Sequence, residues 1–569
     1  MHLCFVVAVD PETEKTQMFG VRYMPVWVYT LAAHLRSQTN IQLTLVDTRL
    51  QSSSEIPQAD CYFFSALNQD VPANLALLRK LKNLYPASKF ALGGPAVGSL
   101  KLAHRLHEVA EFDGLFLGEG ETSVLEFILK LRGQTDGKQL VFTPPERFDI
   151  SQALPMDYQL LSQTAAHYYG GVIEVSRGCP FLCEFCDIRT LPDNNKAHNK
   201  PVETVIADLE QFHRLNITNV LFACDNFIGD PVWAGKLCDA IISFREKYGY
   251  KLRCYTWLTI NIANHPELIR KMKAAGFDMF FIGLESFGTN QLLETAKVQN
   301  TKFDLPEAVR RIQAFGIVVV AGLIFGFDSD NEETTQEALD GILESGLISG
   351  DPTLLTALSG TPLYRRMQLA GRLREGKVAL GGHKYSTNIR YLRPKERIIS
   401  DYCYFVKTFN SSDFQLKRYG SFLNCLEPQE KAQTSEGGGY IQPEKLLGLV
   451  MQNREAMKSA FHRITRFLAS PERLTGAIRG AIMTAQHPMG TWAHYFFWVF
   501  NWSNSIVKYG DISSKDFNIE SVQGAITPKH LLPDGYQDDY FEPIPNAKIK
   551  AQRQLTTKTL SKIYSTRTG

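Results

Sequence analysis

The stretch VIEVSRGCPFLCEFCDIRT, residues 172–190, begins as an apolar, β-like run and then places three cysteines within eight residues. Cys179, Cys183 and Cys186 follow a C-x3-C-x2-C spacing. Three thiols so close together, with no obvious fourth, point to metal or redox chemistry. A structural zinc site usually closes with four ligands, often as paired C-x2-C knuckles, and only His198 or a distant residue is available to complete one here. A disulfide leaves one thiol over and is disfavoured in a reducing compartment. A 4Fe–4S cluster fits best, because three thiolates hold three irons and leave the fourth open to a substrate or cofactor.

Working outward, the run 172–176 is the first of six β-like segments, followed by NVLFAC (219–224), LRCYTWLT (252–259), DMFFIGLE (278–285), IVVVAGLIFGF (317–327) and PTLLTAL (352–358). Helical patterns such as ETVIADLEQFHRL and PELIRKMKAAGF separate them. Six strand–helix units predict a TIM-like partial (β/α)6 barrel over 171–375, with its chemistry at the carboxyl ends of the strands. The cysteines follow the first strand, where such a site belongs.

Upstream, residues 1–132 alternate apolar runs with helical patterns in five βα units and predict a doubly wound, flavodoxin-like sheet. Its ligand crevice lies past the strand ends, at Asp47–Arg49, Gly93-Gly94-Pro95 and Gly118-Glu119-Gly120-Glu121. Each is also readable as an ordinary βα turn. Residues 133–170, with Pro144, Pro145 and Pro155, read as a linker. Residues 376–530 read as a mostly α-helical domain and 531–569 as a polar tail. The aromatic segment HYFFWVFNW (494–502) is better read as a buried helix than as the lining of an apolar substrate pocket or a lipid-facing surface.

At 569 residues the chain exceeds a single core, in agreement with this division. Sixty-one Lys and Arg against 59 Asp and Glu leave no charge excess to favour nucleic acid. No signal-peptide pattern opens the chain, and the longest apolar run, 314–327, is too short to span a bilayer. Ten dispersed cysteines suit a reducing cytoplasm.

RGCPFLCEFC resembles the radical S-adenosylmethionine (SAM) signature, and the barrel pattern over 171–375 is similar to that superfamily's. The resemblance implies that SAM chelates the open iron through its amino and carboxylate groups, and that the reduced cluster cleaves it to methionine and a 5′-deoxyadenosyl radical. Position by position, it puts Phe185 near the adenine and Asp225 and Asn226 near the methionine amino group. This chain has Cys224-Asp225-Asn226 where the family usually has a Gly-Gly-Glu-like stretch. Glu285 falls where a ribose or carboxylate contact is usual, and Gly322 and Gly326 match the glycine motif beside the adenine.

The segment before the barrel, with GGPAVGS (93–99) and DGLFLGEGE (113–121), resembles the cobalamin-binding domain of one large radical SAM class. The resemblance nominates Arg49, Gly93, Gly94, Gly118, Glu119 and Gly120 as cobalamin contacts. The region VDTRLQS lacks the Asp-x-His-x-x-Gly histidine that coordinates cobalt in methionine-synthase-type domains, so a bound cobalamin would have no such ligand from the protein. The domain is alternatively a relic that binds nothing. After the barrel, TALSGTPLYRRMQLAGRL and ISDYCYFVKTFNSSDFQLKRYGSFL resemble the module of hopanoid and bacteriochlorophyll methylases, with Ser359 where that family commonly has Pro.

Together these resemblances imply cobalamin-dependent methylation of an unactivated carbon. The rival readings are a radical cyclase or rearrangement enzyme of the same architecture, and a non-enzymatic cobalamin- or cluster-binding sensor. A methylthiotransferase needs three further cysteines for a second cluster, and the N-terminal segment has only Cys4 and Cys61. The implied partners are a small-molecule or lipid substrate and an electron donor such as flavodoxin or ferredoxin. The expected location is cytoplasmic, at the membrane periphery if the substrate is a lipid. No side chain is nominated as catalytic.

Overall fold

Alternate residues of the first strands face opposite ways, and this decides the layering. In β1 (His2–Val7), Leu3 and Phe5 join one buried cluster while Cys4 and Val6 join another. β2 (Gln42–Asp47), β3 (Cys61–Ser65), β4 (Lys89–Gly93), β5 (Gly114–Phe116) and β6 (Leu140–Phe142) complete a parallel sheet of order β2-β1-β3-β4-β5-β6. Helices Val26–Gln38, Val71–Leu84, Pro95–Leu102 and Val124–Gly133 connect the strands. Both faces are buried, so β1, β3 and β4 read as nearly continuous apolar runs. The order through β5 is flavodoxin-like, with its topological switch point between β1 and β3. β6 lies within the stretch read as a linker; only Phe142 of its three residues is buried, so hydropathy scarcely marks it.

These elements belong to a computed structural model describing residues 1–10, 22–50, 56–191, 193–374, 385–428, 447–448, 451, 454–488, 491–510, 512–534, 536, 558–559 and 561–563. Most of the stretch read as a polar tail lies outside the described residues.

The second sheet starts with β7 (Gly171–Glu174). β8 (Ser176–Arg177) and β9 (His198–Asn199) form a two-residue antiparallel ladder beside it. β10 (Asn219–Ala223), β11 (Arg253–Leu258), β12 (Phe277–Glu285), β13 (Val318–Phe325) and β14 (Ser349–Leu354) then follow β7 in chain order, all parallel. This is an open, six-stranded partial barrel, as expected. The last strand ends earlier than the sequence reading of 352–358, because Ala357 leaves the sheet to be bracketed by the Asn388 amide. Its N–H donates to Asn388 Oδ1 at 2.9 Å and its carbonyl accepts from Nδ2 at 2.6 Å.

Both edges of the barrel are covered. At β7, Met24 N–H donates to Gly170 O and Tyr169 N–H donates to Arg22 O, so a segment from the first sheet's side lies along the edge. Gly170 is required there, since a Cβ would overlap the Tyr23 ring. At β14, the hydroxyls of Tyr402 and Tyr509 donate to Pro352 O at 2.9 and 3.1 Å. One buried apolar cluster runs from Phe5 and Phe63 of the first sheet through Tyr168 to the barrel interior, so the two sheets share a core.

The C-terminal region is helical, with Lys395–Asn410, Ser412–Cys425, Arg454–Leu468, Pro471–Ala485 and Trp492–Tyr509. Trp498 and Trp502 are fully buried; Trp498 stacks on Tyr419 at 4.4 Å between centroids, and its Nε1 donates to Gln415 Oε1 at 2.9 Å. Gly476 and Gly480 clear space for these indoles, which a Cβ at either position would crowd. The segment 494–502 is therefore mainly core, with Phe496 the exception. Among the described residues no helix is long and apolar enough to cross a membrane.

Candidate active site at the barrel mouth

The cysteine loop leaves β7 through the β8–β9 ladder and is fixed at its root by Gly178. That residue sits at φ +91°, and a Cβ there would overlap Lys196 O. Its N–H donates to Asp225 Oδ2 at 2.6 Å, tying the loop to the carboxyl end of β10. Cys179 N–H donates to Asn194 O at 2.9 Å, and Cys186 N–H to Cys183 O at 3.3 Å.

Two side-chain amides turn their nitrogens toward the sulfurs. Asn226 Nδ2 lies 4.0 Å from Cys179 Sγ, and Gln299 Nε2 donates to Cys183 Sγ at 3.5 Å. Asn226 Oδ1 and Gln299 Oε1 are buried with no hydrogen-bond partner, as are Ser176 Oγ and, just past β11, Thr259 Oγ1 and Asn261 Oδ1. Buried polar atoms ordinarily find a partner, and five such oxygens grouped at one barrel mouth leave acceptors available to a polar occupant. Burial pushes the Cys179 thiol up to about 12 and Cys186 well above the usual thiol range, the neighbouring thiols adding to the effect at both. Thiols in this state bind metal by losing protons to it.

Glu285, at the end of β12, takes φ +65° and accepts from Lys297 Nζ at 2.6 Å. Burial opposes the charge on Lys297, but Glu285 and the adjacent Cys183 more than offset this and hold it protonated. Its ammonium also lies 5.8 Å from the centre of the Phe185 ring.

The loop's far side rests on buried ion pairs. Glu184 N–H donates to Thr295 O, and Arg366 Nε and Nη2 both donate to the Glu184 carboxylate at 2.8 Å. Arg372 makes a second bidentate pair with Asp328 at 2.7 and 2.6 Å. Burial, then the nearby Asp328, raises Glu294 to about 8. Tyr536 OH donates to Glu184 Oε1 at 2.7 Å.

The donor set suits an iron–sulfur cluster with SAM. Three thiols stand in one loop, and buried carbonyl and hydroxyl oxygens await the ammonium and hydroxyl donors of a ligand. Among the described residues no three His, Cys, Asp or Glu side chains converge as ligands of a single ion. A multi-iron cluster needs no such convergence, since each thiolate takes a different iron. Cys224 offers no fourth ligand, because its thiol is engaged with Thr256 Oγ1 at 3.3 Å and Trp257 O at 3.4 Å.

Phe185, Asp225, Asn226 and Glu285 thus gather around the cysteine loop. Burial raises the Asp225 carboxyl to about 6, and its oxygen is used on Gly178. Gly322 lies within β13, where a Cβ would stand 3.2 Å from the Phe281 ring; Gly326, at φ +91°, is closed over by Tyr391 at 2.7 Å. Lys297, Gln299, Glu184 and Arg366 were not singled out by sequence reasoning. The segment TAKVQN (295–300) has no recognisable spacing, and only the fold brings it to the cysteines.

The residues nominated in the first sheet are largely consumed internally. Arg49 Nε donates to both oxygens of Asp47, at 2.8 and 3.1 Å, and Tyr168 OH donates to the same carboxylate at 3.0 Å. Glu119 pairs with Arg147 at 3.2 Å and with Arg177 at 3.0 Å. A Cβ on Gly94 would stand 2.9 Å from Ala66 backbone atoms, one on Gly93 3.1 Å from Phe63, and one on Gly120 3.2 Å from Leu31. Gly118 serves a turn at φ +90°. At the switch point, buried Asn68 Oδ1 and Asn74 Oδ1 have no hydrogen-bond partner among the described residues.

Residues 173–342 match the family model of the radical SAM superfamily, and 361–470 match a domain of unknown function. The chain is 29% identical over 398 residues to the hopanoid C-2 methylase of Rhodopseudomonas palustris, covering 69% of this chain and 72% of that one. Its fold is similar to that of OxsB, a cobalamin-dependent SAM radical enzyme solved with aqua-cobalamin and SAM, at TM-score 0.57 and 14% identity over 98% of this chain and 84% of the other. It is also similar to TsrM from Kitasatospora setae, a radical SAM methyltransferase solved with cobalamin and a 4Fe–4S cluster, at TM-score 0.51 and 15% identity over 66% and 79% of the two chains.

Proposed function

The chain is a radical SAM enzyme, and from that premise we propose that it methylates an unactivated carbon of a small-molecule or lipid substrate, with cobalamin on the first sheet and the cluster on Cys179, Cys183 and Cys186. The observation that carries this reading is the three-cysteine loop at the carboxyl end of a parallel barrel, with the Asn226 and Gln299 amides directed at two of its sulfurs and the Lys297–Glu285 pair beside it, next to a second parallel sheet that shares its core. In this reading 1–132 is the cobalamin part, 171–375 the cluster part and 376–530 an accessory part. The activity of the Rhodopseudomonas palustris relative, hopanoid C-2 methylation, favours an apolar acceptor.

A cluster held by Cys179, Cys183 and Cys186 would supply the electron for reductive cleavage of SAM, and cobalamin a methyl carrier. The chain's own residues do the rest. Gln299 and Asn226 direct N–H toward the cysteine sulfurs, which would lower electron density on the thiolates, and their amide oxygens would be acceptors for the ammonium of a bound SAM. Lys297 holds a positive charge beside the cysteines and is itself fixed by Glu285. Glu184, clamped by Arg366, keeps the loop from shifting. The apolar barrel interior excludes water from the radical. An electron donor such as flavodoxin or ferredoxin completes the requirement.

The test is anaerobic reconstitution, loading with hydroxocobalamin, and turnover with SAM carrying a deuterated methyl group in the presence of a lipid extract. A product heavier by one labelled methyl, together with 5′-deoxyadenosine and bound corrinoid, is the expected result. Deoxyadenosine with no methylated product and no corrinoid would retire methyl transfer and leave a radical enzyme of another kind.

A further inference from the structure

The helices Arg454–Leu468 and Pro471–Ala485 each bury one side and leave a second apolar row outside. Phe467 and Arg463 turn inward, Phe467 packing against Trp502, while Gly476 and Gly480 approach the buried indoles. On the first helix Met457, Phe461, Ile464 and Leu468 remain exposed at spacings of four, three and four residues; Phe461 is 69% and Ile464 53% accessible. On the second, Leu474, Ile478 and Ile482 repeat every four residues, with Ile478 52% and Ile482 58% accessible. Such spacing makes one continuous stripe on each helix. A folded surface seldom carries this much aliphatic side chain without a partner.

The charges alongside identify the partner. Besides the buried Arg463, the two helices carry Lys458, Arg466, Arg473 and Arg479 against Glu472 among the described side chains, while the whole chain is nearly balanced. We propose that this two-helix face is a docking surface for an anionic lipid bilayer, which it meets by lying in the headgroup region. Apolar rows flanked by basic residues on helices too polar to span are the pattern of interfacial binding. A second copy of the chain is the weaker occupant, because face-to-face packing would bring two basic surfaces together. The proposal is independent of the methyl-transfer reading.

The test uses the full chain and sedimentation with vesicles of equimolar phosphatidylglycerol and phosphatidylcholine, or of phosphatidylcholine alone. Binding to the anionic vesicles, weakened by salt, is expected. The triple change Phe461→Ser, Ile464→Ser, Leu468→Ser should weaken it at least about tenfold. Arg479→Gln should weaken it about fivefold, the worth of one cation near such a surface. Both changes are at exposed positions, and far-UV circular dichroism checks that the helices remain. If the triple variant loses them, Ile478→Ser and Arg479→Gln, placed singly on the neighbouring helix, decide the matter. No vesicle binding, or binding that none of these changes affects, would overturn the proposal. So would a dimer in solution that the triple change dissociates while vesicle binding stays absent.

Discussion

At the carboxyl end of the first sheet Gly94 is pressed against the backbone of Ala66 and Glu119 is held by two arginines. At the carboxyl end of the barrel Asn226 and Gln299 present buried oxygens that no described residue satisfies. The two sheets have the same strand direction, and most residues nominated in either are engaged within the chain, Asp225 on Gly178 and Glu285 on Lys297 included; Asn226 is the one nominated barrel residue that keeps an unsatisfied atom, and Gln299 joins it from outside the nominated set. Glycine and acid motifs at strand ends therefore report where a chain turns, and only their remaining hydrogen-bonding capacity reports where a ligand binds.

Five substitutions or conditions probe this contrast. The largest effect is expected for Cys183→Ala, which should reduce 5′-deoxyadenosine formation by the reconstituted enzyme to background while leaving the far-UV spectrum unchanged. An undiminished yield would remove the barrel mouth from the chemistry. Arg366→Ala should cost about 3–5 kcal/mol by leaving Glu184 charged and buried without its partner, read from urea unfolding. Joint replacement by Glu184→Gln and Arg366→Met should cost less than that single change, since no lone charge is left behind.

Gly94→Ala tests the opposite sheet. A Cβ at φ +88° against a backbone 2.9 Å away should destabilise the protein by about 1–3 kcal/mol, with little change in the cleavage of SAM. If cleavage fell as far as stability did, the first sheet would have to be counted as part of the radical site.

The smallest expected effect lies outside both sheets. Burial holds the His494 imidazole at about 3, below its usual 6.5. The unfolded chain therefore takes a proton that the folded one refuses, and stability is complete above pH 6.5 and declines as the pH falls. Between pH 6.5 and 5 the loss should approach about 2 kcal/mol and be absent in His494→Gln, as measured by the pH dependence of urea midpoints.

Much of this arrangement was legible in the sequence, because periodicity and short spacings are local. The cysteine loop, the six barrel strands and the doubly wound layering all follow from patterns within a few tens of residues. β6 escaped because two of its three residues stay partly or fully open to solvent. Lys297 and Gln299 escaped because their partners, Glu285 and Cys183, lie 12 and 116 residues away. Gly326, matched to an adenine-side motif, faces the ring of Tyr391, which arrives from a strand after the barrel. The aromatic run 494–502 was read as core, and its indoles are core; the exposed apolar rows belong to the two helices before it.

The clamp on Glu184 has a consequence for how the protein is made. Arg366 lies 182 residues after it and Tyr536 lies 352 residues after it. At a synthesis rate of about 5–20 residues per second, roughly 20–70 s pass between the emergence of the cysteine loop and that of the tyrosine that fastens it. During that interval the loop is on the ribosome without its last hydrogen bond. The clamp on the cysteine loop is thus a late product of synthesis, completed only when nearly the whole chain has been made.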